Sequence, residues 1–141
     1  MKASNLIKIL SILAFASFLG LMSCGNQQKK VTTDSDGVPK AEFDTLFHDF
    51  GSVHQGERVA YTFTLQNQGT ANLVIQDVIA SCGCTIVQFP TKPIAPQSTA
   101  DVLVEFDTAG RKGMQYKHIL VKTNTPKKQT TLSIKANVVV P

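Results

Sequence analysis

Cys82 and Cys84, with only Gly83 between them, are the residues of this chain whose type and spacing could do chemistry. Two thiols one residue apart admit three readings: a local disulfide, a pair of soft-metal ligands, or plain packing at the end of a strand. In extended backbone, residues i and i+2 lie about 6.6 to 6.8 Å apart, the upper limit of what a disulfide spans. A bridge therefore demands a bend, and Gly83 is the residue expected to permit it. Closing so small a loop stabilises by only about 1.5 kcal/mol through chain entropy, which suits thiol exchange better than stapling. As free thiolates the same pair would hold a soft ion such as Cu(I). Zn(II) would want four ligands, and His48, His54, His118 and Met114, the other candidates, fall at no ligand-motif spacing.

Other chemistry is thinly supplied. Arg111 and Lys112, flanked by Gly110 and Gly113, form a basic loop that could contact an anionic glycan or peptide, although a solvated hairpin is the plainer reading. A nucleophile built from Cys84 and His118 would need an oxyanion hole and an orienting group that no motif announces. The chain carries no G-x-S-x-G elbow, H-E-x-x-H helix or phosphate-cradling glycine loop. These gaps argue against an enzyme. The formal charge of +4 falls to +2 once Lys2 and Lys8 are set aside as part of a leader, too weak and scattered for nucleic acid.

The elements that must position these residues begin with an address. Lys2 and Lys8 precede an apolar run from Ile9 to Met22, which is 14 residues and shorter than the roughly 20 needed to span a bilayer. Residues 1–23 thus read as a secretory signal peptide. Leu21-Met22-Ser23-Cys24 resembles a bacterial lipobox, which makes Cys24 the residue expected to carry diacylglycerol and anchor the chain. Residues 24–42 hold almost no large apolar side chain and read as the lipidated cysteine and a tether of roughly 20 to 25 Å root-mean-square span. Gly25-Asn26-Gln27-Gln28 stands where some lipoproteins of Bacteroidetes carry an acidic surface-export signal, which favours the periplasmic face of the outer membrane.

Residues 43–141 change register to period two. Val59, Tyr61, Phe63 and Leu65 alternate with polar or small residues, as do Val102, Val104 and Phe106, and Leu132, Ile134, Ala136, Val138 and Val140. Shorter runs fall near residues 45–50, 73–80, 85–89 and 117–122, which makes seven strands. Breakers separate them at Gln55-Gly56, Asn67-Gln68-Gly69, residues 93–96, residues 110–113 and Asn124-Thr125-Pro126. The pattern predicts an antiparallel β-sandwich of immunoglobulin type, with a small barrel as the alternative. The long apolar last strand, Thr130 to Val140, offers the first candidate edge for a partner strand.

Phe47-His48-Asp49-Phe50-Gly51, Gly56-Glu57, Asn67-Gln68-Gly69, Ser81-Cys82-Gly83-Cys84-Thr85, Pro93-Ile94-Ala95-Pro96, Phe106-Asp107-Thr108 and Thr123-Asn124-Thr125-Pro126 together resemble the family called domain of unknown function 1573. The resemblance covers about residues 43 to 139, and the Ser-Cys-Gly-Cys-Thr block is its most specific part. It implies an exported protein with a fold similar to Hydin-type and sperm-protein-type immunoglobulin domains, and it adds no chemistry. The expectation is a lipid-anchored envelope protein whose domain binds a protein or glycan partner by contact. The alternative is a periplasmic thiol-redox or Cu(I)-handling protein that works through Cys82 and Cys84.

Overall fold

The computed structural model describes residues 37–141. The leader, Cys24 and most of the tether lie outside the described residues. Eight strands form two four-stranded sheets: β1 (Ala41–Phe43), β3 (Arg58–Asn67), β6 (Thr99–Asp107) and β5 (Thr85–Gln88) in the order β1-β3-β6-β5, and β2 (Phe47–His54), β8 (Gln129–Val139), β7 (Gly113–Thr123) and β4 (Ile75–Ala80) in the order β2-β8-β7-β4. The sheets stack as the sandwich expected, and the barrel alternative falls.

Alternation along each strand explains the stacking. Phe63, Leu65, Val102, Val104 and Phe106 project from one sheet onto Ile119, Val121, Leu132, Ile134 and Ala136 of the other, all buried. The chain crosses between sheets at Asp44, whose carboxylate accepts from the Thr45 and Thr64 N–H groups at 2.8 and 3.1 Å. The expected first strand corresponds to β2, and β1 is an additional strand ahead of it, largely within the predicted tether, so eight strands replace the predicted seven. Val38 and Lys40, expected in the tether, accept main-chain hydrogen bonds from Thr70 and Gln68 at 3.0 and 2.8 Å. Ordered chain therefore begins before residue 43, because Gly69 lets the two backbones touch. A Cβ on Gly69 would fall inside the Val38–Lys40 main chain.

Two further expectations are corrected. β2 runs parallel to β8, so the sandwich is not wholly antiparallel; Gly51, at φ 69°, makes the bulge that shifts register between Asp49 and Ser52. β8 is an interior strand with β2 on one side and β7 on the other, so most of its main chain has no edge to offer.

Asn67 closes one end of the sandwich. Its side chain, wholly buried, donates to the carbonyls of Ala71 and Ile94 at 2.8 and 2.9 Å and accepts from the Gly69 N–H at 3.0 Å. Asn67→Ala would leave those three groups without their partner, and the expected cost is about 2 to 4 kcal/mol in urea unfolding. A loss under about 0.5 kcal/mol would show that the turn holds without it.

His48 occupies the side opening between β2 and β3, stacked on Tyr61 at 3.7 Å and edge-on to Phe50 at 4.5 Å. Burial lowers the imidazole pKa, an effect that Asp49 partly opposes. The unfolded chain then takes up a proton at this ring more readily than the folded chain. The stability His48 contributes is complete above the ordinary value of 6.5 and is lost as pH falls through the lowered folded value. Urea midpoints are expected to decline from pH 7 to about 5, and His48→Phe to flatten that decline. The same slope in both proteins would exclude His48 as its cause.

Candidate functional site

The Cys-Gly-Cys segment joins β4, at the border of one sheet, to β5, at the border of the other. Four residues, Ser81 to Cys84, make the crossing. Ser81 continues the β4 pairing: its N–H donates to the His118 carbonyl at 2.9 Å, and the His118 N–H donates to Ser81 Oγ at 3.1 Å. The chain then turns, with the Thr85 N–H donating to the Cys82 carbonyl at 3.2 Å. It is captured by the second sheet where the Asp107 N–H donates to the Cys84 carbonyl at 2.9 Å.

That turn brings the Cα atoms of Cys82 and Cys84 to 5.3 Å, well inside the extended spacing, and the two sulfurs are bonded to each other. The bend does not depend on the freedom of glycine, contrary to the expectation for Gly83. Gly83 lies outside the left-handed region, and a Cβ on it would meet nothing within 4 Å. Thr85 Oγ1 lies 3.5 Å from Cys82 Sγ, while Cys84 packs against the core. Sulfurs bonded to each other offer no thiolate, so Cu(I) could be held here only after reduction.

Arg111 and Lys112, paired in the sequence, part company in the fold. A recess of about 360 Å³ beside the bridge is lined by Gly83, Cys84 and Ile86, by Arg58, Glu105 and Asp107, and by Ala109 and Arg111. Arg58 is occupied by its ion pairs with Glu105 at 3.6 Å and Asp107 at 3.3 Å. Arg111 is anchored through its main chain, donating to the Thr108 carbonyl at 3.0 Å and accepting from Gln55 Nε2 at 2.8 Å. Its Nε is shielded from solvent yet has no hydrogen-bond partner among the described residues. Lys112 stands outside the recess, exposed, its carbonyl accepting from Gln115 Nε2 at 2.9 Å.

The histidines and Met114 do not join the cysteines. His48 lies in its aromatic contacts, His54 is exposed at the end of β2, and Met114 is exposed on β7. The His118 main chain is tied to Ser81, but its Nδ1 lies 3.0 Å from Ser133 Oγ, so a Cys84–His118 dyad is not assembled. Among the described residues no three His, Cys, Asp or Glu side chains gather as a metal centre would require.

One surface escaped the sequence reading. On the outer face of β2-β8-β7-β4, registered pairs place Phe47 beside Ser133 and Ser133 beside His118, Leu120 beside Ile79, and Tyr116 beside Lys135. Lys135 donates to Asp49 at 2.7 Å, and this hydrogen bond lowers the Asp49 pKa and raises that of Lys135. The signal was present in β7, where Met114, Tyr116 and Leu120 supply apolar side chains on the alternation opposite to Ile119 and Val121.

A family model described as a protein of unknown function, DUF1573, matches residues 41–138. Among curated proteins no sequence matches the chain. Among solved structures, the fold is similar to a protein of unknown function from Porphyromonas gingivalis W83, at TM-score 0.63 and 18% identity over 79% of this chain and 51% of that one. This chain thus spans about half the length of that relative. It is also similar to PapD-like domain 7 of human CEP192, at TM-score 0.61 and 11% identity over 72% of this chain and 87% of that one. A third match is the YadV chaperone, at TM-score 0.51 and 13% identity over 70% and 51% of the two chains. At these identities the likeness is one of fold.

Four main-chain and serine hydrogen bonds hold the crossover to both sheets, and none of them is made by a sulfur. The double variant Cys82→Ser, Cys84→Ser is therefore expected to fold and to lose no more than about 1.5 kcal/mol in urea unfolding. Failure to fold would make the bridge a structural requirement.

Proposed function

The chain belongs to the DUF1573 family, and from its PapD-like sandwich and the apolar sheet face just described we propose that it acts by contact with another envelope protein. The observation that carries this reading is the outer face of β2-β8-β7-β4. Phe47, Ile79, Met114 and Tyr116 remain 48%, 45%, 52% and 56% exposed there, on the side turned away from the core. Solvated sheets normally cover such a face with polar side chains, and exposed aromatic and methionine side chains are what protein interfaces concentrate. The Asp49–Lys135 pair and the Ser133–His118 contact lie among them and would orient a partner more than they would strengthen it. The partner side of the proposal thereby shifts from the edge of β8 to this face.

We propose further that the domain is lipid-anchored through Cys24 behind a cleaved leader of residues 1–23, on the periplasmic face of the outer membrane. The Leu21-Met22-Ser23-Cys24 sequence supports this. A short tether would keep the domain close to the bilayer, so the proposed partner is itself membrane-associated or periplasmic.

The reading is tested by placing a photo-crosslinking residue at Tyr116 of the full chain in its own cells, with the same residue at exposed Thr62 of the opposite sheet for comparison. A discrete protein adduct is expected from position 116 and none from 62. Tyr116→Ala with Phe47→Ala is expected to weaken binding of the captured partner at least tenfold, about 1.4 kcal/mol or more, on the scale of aromatic interface anchors. Adducts at 62 alone, or binding unchanged in the double variant, would sink the proposal.

A further inference from the structure

We infer that the Cys82–Cys84 bridge is an exchangeable disulfide that oxidises a protein dithiol, and that Arg111 is the positioning residue for the Cys84 thiolate released in that exchange. The inference is independent of the sheet-face reading. Four features carry it. The bridge links residues two apart, and hydrogen bonds already hold the crossover to both sheets, so the bond is spare as a staple. Gly83 at the tip is exposed with open space about it, and neither sulfur-bearing residue is sealed in the core. Cys84 lines a recess that could take an approaching side chain. Finally, of the two arginines lining that recess, Arg58 is committed to Glu105 and Asp107, whereas Arg111 holds a shielded Nε with no partner among the described residues. A shielded donor without a partner calls for an acceptor, and the bridge supplies an anionic one when it opens.

A thiolate of the partner attacks Cys82 Sγ, since Cys84 is the residue packed against the core. The sulfur–sulfur bond breaks, and its electron pair leaves on Sγ of Cys84, the residue that lines the recess with Arg111. The partner's second thiol, deprotonated, attacks the partner sulfur of the mixed disulfide and expels Cys82 as thiolate, 3.5 Å from the Thr85 hydroxyl. The partner dithiol loses two electrons and two protons to become a disulfide, and Cys82 and Cys84 gain both.

The full chain, purified in detergent, is equilibrated in glutathione buffers and in dithiothreitol, quenched by alkylation and mapped by peptide mass at Cys82 and Cys84. Alkylation of both in glutathione is expected, with the circular dichroism of the β-sandwich unchanged. A bridge that survives dithiothreitol until the chain unfolds, or a sheet signal lost on reduction, would overturn the inference in favour of a staple. Cys84→Ser is expected to trap glutathione at Cys82 more readily than Cys82→Ser traps it at Cys84, and the reverse order would overturn the assignment of the attacked sulfur. In the reduced chain, Arg111→Ala is expected to raise the pH midpoint of Cys84 alkylation by on the order of one unit, a tenfold loss of thiolate. Arg111→Lys should restore most of it and Lys112→Ala should leave it unmoved. Equal midpoints in all four proteins would remove Arg111 from the exchange, and Arg111→Gln provides the neutral variant if alanine disturbs the loop.

Discussion

The buried amide of Asn67 is the interaction on which the closed end of this sandwich depends. Its side chain serves the carbonyls of Ala71 and Ile94 and the N–H of Gly69. Its own main chain donates to Ser98 and accepts from Gln97. One residue thus ties the end of β3 to the lead into β6, and orders the loop that receives the residues preceding β1. The mutual hydrogen bonds of Leu73 and Ile94, at 2.9 and 2.8 Å, depend on the same carbonyl neighbourhood and place two buried apolar side chains over that end of the core. An amide can do this because it donates twice and accepts at the same time, so a cluster of main-chain groups that water cannot reach is satisfied without introducing charge.

Much of this was legible in period two. Alternation in β3, β6 and β8 identified the side chains that enter the core, except Val140, which lies past the end of β8 and is exposed, since a half-buried strand has only two faces to assign. What escaped notice needed long-range information. The parallel pairing of β2 with β8 joins residues about 85 positions apart, such as Asp49 and Lys135, and no local pattern encodes that partnership. Asn67 read as a turn residue in Asn67-Gln68-Gly69, which is where it sits, but its burial arises from the Ile94 strand-like segment arriving from 27 residues away. The Cys82–Cys84 bridge could be weighed from spacing alone because both partners are local. Arg111 could not be assigned to the same recess, since only the pairing of β5 with β6 brings Cys84 and Arg111 to its lining. The apolar outer face was hidden for a different reason: in β7 both alternations carry large apolar residues, and the period that reveals a core face is blurred when its opposite is apolar as well.

The two ends of the domain are sealed by different means, and that difference locates the chemistry. Asn67 closes one end with neutral hydrogen bonds. At the other, the core face of β7 runs out into Lys117, whose Nζ lies 5.4 Å from the centre of the Phe106 ring, a cation held against an aromatic face at the margin of the core. Burial lowers the Lys117 pKa, and the nearby charge of Arg111 lowers it further. The Lys117 ammonium is therefore costlier to keep charged at this margin than in open solvent. In the recess beside the sulfur pair, Glu105 and Asp107 are ion-paired with Arg58, while the Arg111 Nε has no hydrogen-bond partner among the described residues. An anion formed at Cys84 would share that recess with a free donor, whereas one formed at the Asn67 end would meet an amide whose hydrogen-bonding capacity is already spent. The same fold thus holds a site suited to transient negative charge at one end while leaving the broad face of the other sheet free for contact, and neither requires the other to be rebuilt.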